Sequence, residues 1–489
     1  LSRHAVIIGA GVAGLATSAR LAAKGHTVSV YEKKSTAGGK LGKLQTNGYT
    51  WDTGPSLFTQ PYLLDELFTD CGKQLSNYLQ YQPLPINTHY FYEDGTILIA
   101  HKDRQLLGEE MERKLGIKPD NLFKFLDEVK DMYLNIGTIF LNEPIHQFST
   151  WTTKRIPLAL RSLRPAYLLT NMHNYHVQKL QHPKLVQLFD RFATYNGSNP
   201  YQSPAMLCMI AHLEMNEGAY YPAGGMISIA EALYRLCLDM GVQFHFNTAV
   251  EKIIVNDNAA TGIKTNTEIV PADIVVSNSD IYYTYQNLLG DTKKGAQIKK
   301  QERSSSAVIF YWGVRKTFSQ LGLHNIFFSA NYKEEFEAIF YTHDVYNDPT
   351  IYVNITAKME PAHAPEGCEN WFVLVNTPGA EYVPDDKVAA IRIAVISKLS
   401  KMLDENIEQY IDTEQVLTPS GIQHNTGSYL GALYGTASNH KMAAFLRHSN
   451  VSSQYKNLFF AGGTVHPGGG IPLCLRSAKL VSDAVTAKG

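Results

Sequence analysis

Three glycines near the start of the chain, Gly9, Gly11 and Gly14, stand at the spacing GxGxxG, with Ala13 beside the last of them. That spacing suits a phosphate. The first glycine allows a tight turn, the second lets the backbone approach a pyrophosphate, and the third lets a helix pack close to a strand. A helix opening there offers unpaired N–H groups and its positive dipole end. Glu32 lies eighteen residues beyond Gly14, where a ribose-binding carboxylate belongs, and Lys33 follows it. A second glycine-rich stretch, FAGGTVHPGGGIPL at residues 460–473, holds Gly462, Gly463 and one histidine, His466, between apolar flanks. His466 has two readings: proton acceptor, or a residue that fixes its loop by hydrogen bonding.

The elements that must position these residues read as strand, turn, helix, strand. Residues 5–8 form a short apolar run suited to a buried parallel strand, and residues 27–31 form a β-branched one ending at Glu32. The unit predicts dinucleotide binding. Gly38, Gly39 and Lys40 come just after Glu32, then a short two-stranded element, then DTGPS. Bare backbone at Gly38 and Gly39 can pass close to a pyrophosphate, and Lys40 supplies a cation. No second GxGxxG occurs, so one tightly held FAD is a better reading than a separate NAD module.

With these motifs in place the chain resembles the FAD-dependent amine-oxidase-like superfamily, and more narrowly the bacterial-type carotenoid desaturases of the phytoene desaturase family. The likeness runs through VIIGAGVAGLATSARLAAKGHTVSVYEKKSTAGGK, WDTGPSLF, GAYYPAGGMISIAEALYRL, ADIVVSNSDIYYTYQNLL and NLFFAGGTVHPGGGIPLCLRSAKL. The PxGGM and HPGGGIP blocks are the specific ones. The resemblance implies an α/β fold, with a Rossmann-type FAD-binding domain and an interleaved α+β substrate domain. It implies a discontinuous FAD domain at 1–85, 215–290 and 429–489, and a substrate domain at 86–214 and 291–428. It implies that Gly9, Gly11, Ala13, Gly14, Glu32 and Lys33 hold the adenosine and pyrophosphate. Gly38, Gly39, Lys40 and Leu41 would contact pyrophosphate and ribityl. Gly54, Pro55 and Ser56 would lie along the isoalloxazine, and Val250 would offer its backbone to the adenine edge. Gly462, Gly463, Ile471, Pro472 and Leu473 would bring a helix start to the flavin. Many relatives carry arginine where this chain has Lys40. Lysine, a point charge, cannot make the same fork, and the resemblance links it to desaturases of hydroxylated carotenoids.

The implied activity is therefore desaturation of a polyene with hydride transfer to flavin, in first place 3,4-desaturation of a 1-hydroxylated carotenoid. Phytoene-type desaturation, carotenoid isomerisation, amine or porphyrinogen oxidation and a non-catalytic flavin carrier stand as alternatives. Oxygen or a quinone would take the electrons.

Bulk properties set the frame. At 489 residues and 44% hydrophobic, the chain supports two or three cores. A net charge of −1 gives no general affinity for nucleic acid. Five scattered cysteines without a CxxC pair suit a reducing compartment, hence a cytoplasmic location. His89, His173, His176 and His212 show no metal-ligand spacing. Residues 144–189 hold no acid, while Lys154, Arg155, Arg161, Arg164, Lys179 and Lys184 interleave there with Trp151, Leu158, Leu160, Leu163, Tyr167, Leu168 and Leu169. That mixture suits a helical part at about 144–190 lying on an anionic bilayer, or a partly solvated helix cut by Pro157 and Pro165. A second basic patch, GDTKKGAQIKKQERSS, reads as a turn-like solvated linker.

Overall fold

The run HAVII forms the middle strand, His4–Ile8, of a five-stranded parallel sheet. A strand in that position is covered on both faces and needs apolar residues throughout. The computed structural model describes residues 2–152, 155–440 and 447–487. The strand order is Leu458–Phe460, Ile274–Ser277, His4–Ile8, Thr27–Tyr31, Gln243–His245, so three distant stretches of chain build one sheet. Side chains alternate between two cores. Ala5 and Ile7 pack with the helices Val12–Ala23, Ile227–Asp239 and Ile471–Ala487. Val6 and Ile8 face the antiparallel strands Val250–Asn256 and Ala259–Thr265.

A seven-stranded sheet forms the second layer. Its order is Ile411–Leu417, Ser306–Val314, Glu369–Thr377, Ile351–Ile355, His324–Phe327, Ile86–Phe91, Ile97–His101. One face packs on the helix Asp385–Leu403 through Ile391, Val395 and Leu399. The other receives Tyr49 and Trp51 from the hairpin Lys43–Thr46/Tyr49–Asp52, beside Tyr311 and Phe372. The hairpin that follows Lys40 thus packs on this sheet and, through Asp52, meets the start of the helix Ile227–Asp239.

A helical part, including Asp120–Met132, Met172–Leu180 and Pro183–Asp190, encloses its own apolar cluster. Residues 144–190 are a series of short helices, among them Phe148–Trp151, Arg155–Ser162 and Pro165–Leu169. Lys154 lies outside the described residues, as do the side chains of Arg155 and Leu158. Arg164 and Lys179 both pair with Glu128 (2.6 and 2.7 Å), and Lys184 with Asp94 at 2.5 Å. Trp151, Leu160 and Leu169 are exposed, the last two by 61% and 71%. Among the described residues no helix is long and apolar enough to cross a membrane.

The stretch read as a turn-like linker is instead a helix, Thr292–Lys299. The Asp291 carboxylate caps it by accepting from the Lys294 N–H at 2.9 Å, and Ile298 anchors it in the core. A polar composition concealed both the cap and its single apolar anchor.

Candidate functional site

The glycine turn is a tight steric fit. A Cβ on Gly14 would stand 2.1 Å from the Gly9 carbonyl oxygen, so no other residue serves there. The helix Val12–Ala23 starts immediately after Gly11, and Ala13 is buried in its packing face. Gly38 donates its N–H to the Ala10 carbonyl at 2.9 Å and bridges Gly11, so the two glycine segments lie back to back. Leu41 is buried beneath them. Glu32 is buried at the end of its strand, its two oxygens accepting from the N–H groups of Ala10 (2.8 Å) and Lys34 (2.9 Å). Lys33 is exposed and donates to the His424 carbonyl at 3.1 Å. The Thr248 N–H donates to the Glu32 carbonyl at 2.9 Å, which brings the start of the Val250–Asn256 strand next to Glu32.

The far side comes from the C-terminal loop. Leu458–Phe460 runs parallel to Ile274–Ser277, and both end toward the glycine turn. Asn278 joins the pieces: its N–H donates to the Ile8 carbonyl (2.8 Å) and its amide to the Ala461 carbonyl (2.9 Å). Gly462 and Gly463 follow, and the helix Ile471–Ala487 opens with Ile471, Pro472 and Leu473. Pro472 sits in the first turn, where its missing N–H costs nothing. Gly470 has φ +106°, and a Cβ there would meet no protein atom within 4 Å. His466 is buried and its Nε2–H donates to the Glu143 carbonyl at 2.9 Å. Burial lowers its pKa to about 4, so the ring is neutral near pH 7.

Gly54, Pro55 and Ser56 are all partly accessible, and a Cβ on Gly54 would stand 2.1 Å from the Lys40 carbonyl oxygen. Asp52 fixes that stretch by accepting from the N–H groups of Met226 (2.8 Å) and Ile227 (3.2 Å) at the start of Ile227–Asp239. Burial raises its pKa to about 6. Lys40 donates to the Leu433 and Ala432 carbonyls at 2.7 and 3.4 Å, and burial lowers its pKa. Arg303 is buried with all three guanidinium nitrogens lacking a hydrogen-bond partner; the nearest carboxylate, Asp280, is 3.9 Å away. Lys40, held only by carbonyls, and Arg303, which meets only the Tyr429 ring at 5.1 Å and the Asp280 carboxylate, suit a polyanion such as a pyrophosphate. A helix start, a strand-end carboxylate and bare backbone complete a set that fits a dinucleotide. Cys474 is pushed up to about 11 by burial and stays a thiol.

Asn278 and Arg303 escaped the sequence reading. Asn278 lies within the quoted VVSNSD, yet nothing in its neighbours says that it reaches two other loops. Arg303 sat in the stretch taken for a solvated linker.

The family model for flavin containing amine oxidoreductase matches residues 12–486. A 1-hydroxycarotenoid 3,4-desaturase of Flavobacterium sp. (strain P99-3) is 46% identical over 488 residues, 99% of each chain. A 4,4'-diapolycopene oxygenase of Methylomonas sp is 33% identical over 99% of this chain and 98% of its own. Wild-type putrescine oxidase superposes with a TM-score of 0.66 at 14% identity, covering 100% of this chain and 99% of its own. That distance speaks for the fold alone. The glycine turn, the strand-end carboxylate and the C-terminal loop thus stand in a full-length match, and the chain belongs to the flavin containing amine oxidoreductase family.

Proposed function

We propose that this flavin-dependent oxidoreductase is a carotenoid desaturase that introduces the 3,4-double bond into a 1-hydroxylated carotenoid. The observation that carries this reading is 46% identity, across 99% of both chains, to a desaturase of that name. When bound, FAD supplies the hydride acceptor that turning a CH–CH pair into C=C requires. The chain's own part is positioning. Gly9, Gly11, Ala13 and Gly14 would offer backbone and helix start to the pyrophosphate, with Gly38, Gly39, Lys40 and Leu41 closing over it. Glu32 would hold the ribose, with Lys33 and the backbone of Val250 at the adenosine end. Gly54, Pro55 and Ser56 would flank the ring, and the start of Ile471–Ala487 would face its pyrimidine edge. A positive helix end there favours negative charge. His466, neutral and bonded to Glu143, would hold the loop rather than take the proton.

The substrate is apolar, and the exposed Trp151, Leu160 and Leu169 beside Arg161 would rest the chain on the bilayer that stores it. We place it peripherally on the cytoplasmic side, with oxygen or a quinone as final electron acceptor. Expression in a bacterial host that makes defined carotenoids tests the reaction. The pigment should shift to the red and lose the mass of two hydrogens per new bond. A gain of oxygen mass would favour the oxygenase chemistry named for the Methylomonas relative, and unchanged pigment with full flavin loading would reject desaturation.

A further inference from the structure

Tyr434 is held everywhere except at its hydroxyl. Its N–H donates to Ser304 Oγ at 3.0 Å, and its carbonyl accepts from the Arg447 guanidinium at 2.8 Å. On either side, the Leu433 carbonyl accepts from Lys40 at 2.7 Å and the Gly435 carbonyl from the Ser304 N–H at 2.8 Å. The ring is gripped along both edges. A Cβ on Gly469 would stand 2.9 Å from its Cδ1, and one on Gly197 would stand 3.0 Å from its Cδ2. That leaves the hydroxyl as the free end, and it has no hydrogen-bond partner among the described residues. The Tyr221 and Tyr311 hydroxyls also lack one, but they are sealed in, whereas Tyr434 is partly accessible. Desolvation raises its pKa to about 12, so the phenol keeps its proton near pH 7 and faces an enclosed space.

We infer that the Tyr434 hydroxyl donates a hydrogen bond to the flavin ring and thereby favours its reduced form. The inference rests on the proposed function, which sets the start of Ile471–Ala487, Lys40 and Ser56 beside the flavin. Tyr434 connects to each of them. Its ring packs on Gly469, two residues before Ile471, and its neighbour Leu433 takes the Lys40 bond. On the third side, burial and then the nearby Tyr434 phenol raise the pKa of Tyr352, whose hydroxyl lies 2.7 Å from Ser56 Oγ. The edge of a flavin ring offers several oxygen and nitrogen acceptors and a single N–H, so a protonated phenol meets it as a donor. Reduction adds negative charge at the pyrimidine end of the ring. A donor already fixed there stabilises that charge without having to reorganise. The straps on the Tyr434 backbone and ring supply that fixity, and an idle buried donor gains most from such a partner.

The experiment uses flavin-loaded enzyme, reduced anaerobically in equilibrium with a dye of known potential, and reads the flavin absorbance. Tyr434→Phe removes the hydroxyl and keeps the ring. It should hold reduced flavin about tenfold less well relative to oxidised flavin, a fall of about 30 mV in midpoint potential, with the visible flavin band shifted. A fluorinated tyrosine in place of Tyr434, whose proton is more acidic, should move the potential the other way. Equal potentials and spectra for wild type and Tyr434→Phe at full flavin loading overturn the inference. Equal potentials with a changed preference among polyenes assign the hydroxyl to the substrate and overturn it as well. If Tyr434→Phe does not fold, the fluorinated chain decides by the same potential. Full flavin content in Gly470→Val would overturn the placement of the helix start, and the inference with it. Flavin loss in that variant, with equal potentials in Tyr434→Phe, overturns the hydroxyl contact alone.

Discussion

Gly470 shows how a residue can matter through what it lacks. Its φ of +106° lies where a β-branched residue is strained by about 1–3 kcal/mol, and a Cβ there would meet no protein atom within 4 Å. Gly470→Val should therefore lower flavin content several-fold while the rest of the chain still folds. The ratio of flavin to protein absorbance, read beside circular dichroism, checks this; full flavin content would place Gly470 away from the cofactor. Gly14 sits under a different constraint. The 2.1 Å approach to the Gly9 oxygen is internal to the turn and exists before any ligand binds. The Gly14 contact lies five residues back in the chain, whereas Gly9 and Gly11 lie against Asn278, whose Oδ1 would stand 2.8 Å from a Cβ on Gly11.

At the scale of elements, the short helices between residues 144 and 190 combine exposed Leu160 and Leu169 with ion pairs that spend much of the local positive charge. Arg164, Lys179 and Lys184 are matched by Glu128 and Asp94, acids from outside the segment that a local reading could not supply. The apolar side chains then carry more of any membrane contact than the basic ones. Leu160→Glu with Leu169→Glu should cut flotation with anionic liposomes at least threefold, and high salt should cut it less. Flotation equal to wild type would remove this surface from the proposal. The helix Thr292–Lys299 teaches the same lesson from the other side, because its cap and its one buried anchor became visible only once the core around Ile298 existed.

For the whole molecule, the site is assembled from pieces at both ends and in the middle of the chain. A cofactor gripped by all of them couples their folding. Binding to the folded state alone adds about 2.7 kcal/mol at a hundred times the dissociation constant. Removing FAD should therefore lower the melting temperature by a few degrees, and adding it back should restore it. Thermal scans of apo and reconstituted protein check this; equal melting points would show that the cofactor does not bridge those segments. The sequence by itself determined the tight turn at Gly14 and the strand that ends in Glu32. Each follows from sterics or side-chain period within a few neighbouring residues. Only the tertiary structure decided that Asn278 would tie Ile8 to Ala461, or that Ser56 would meet Tyr352 across 296 positions. Those meetings depend on sheet order and register, which no local pattern encodes.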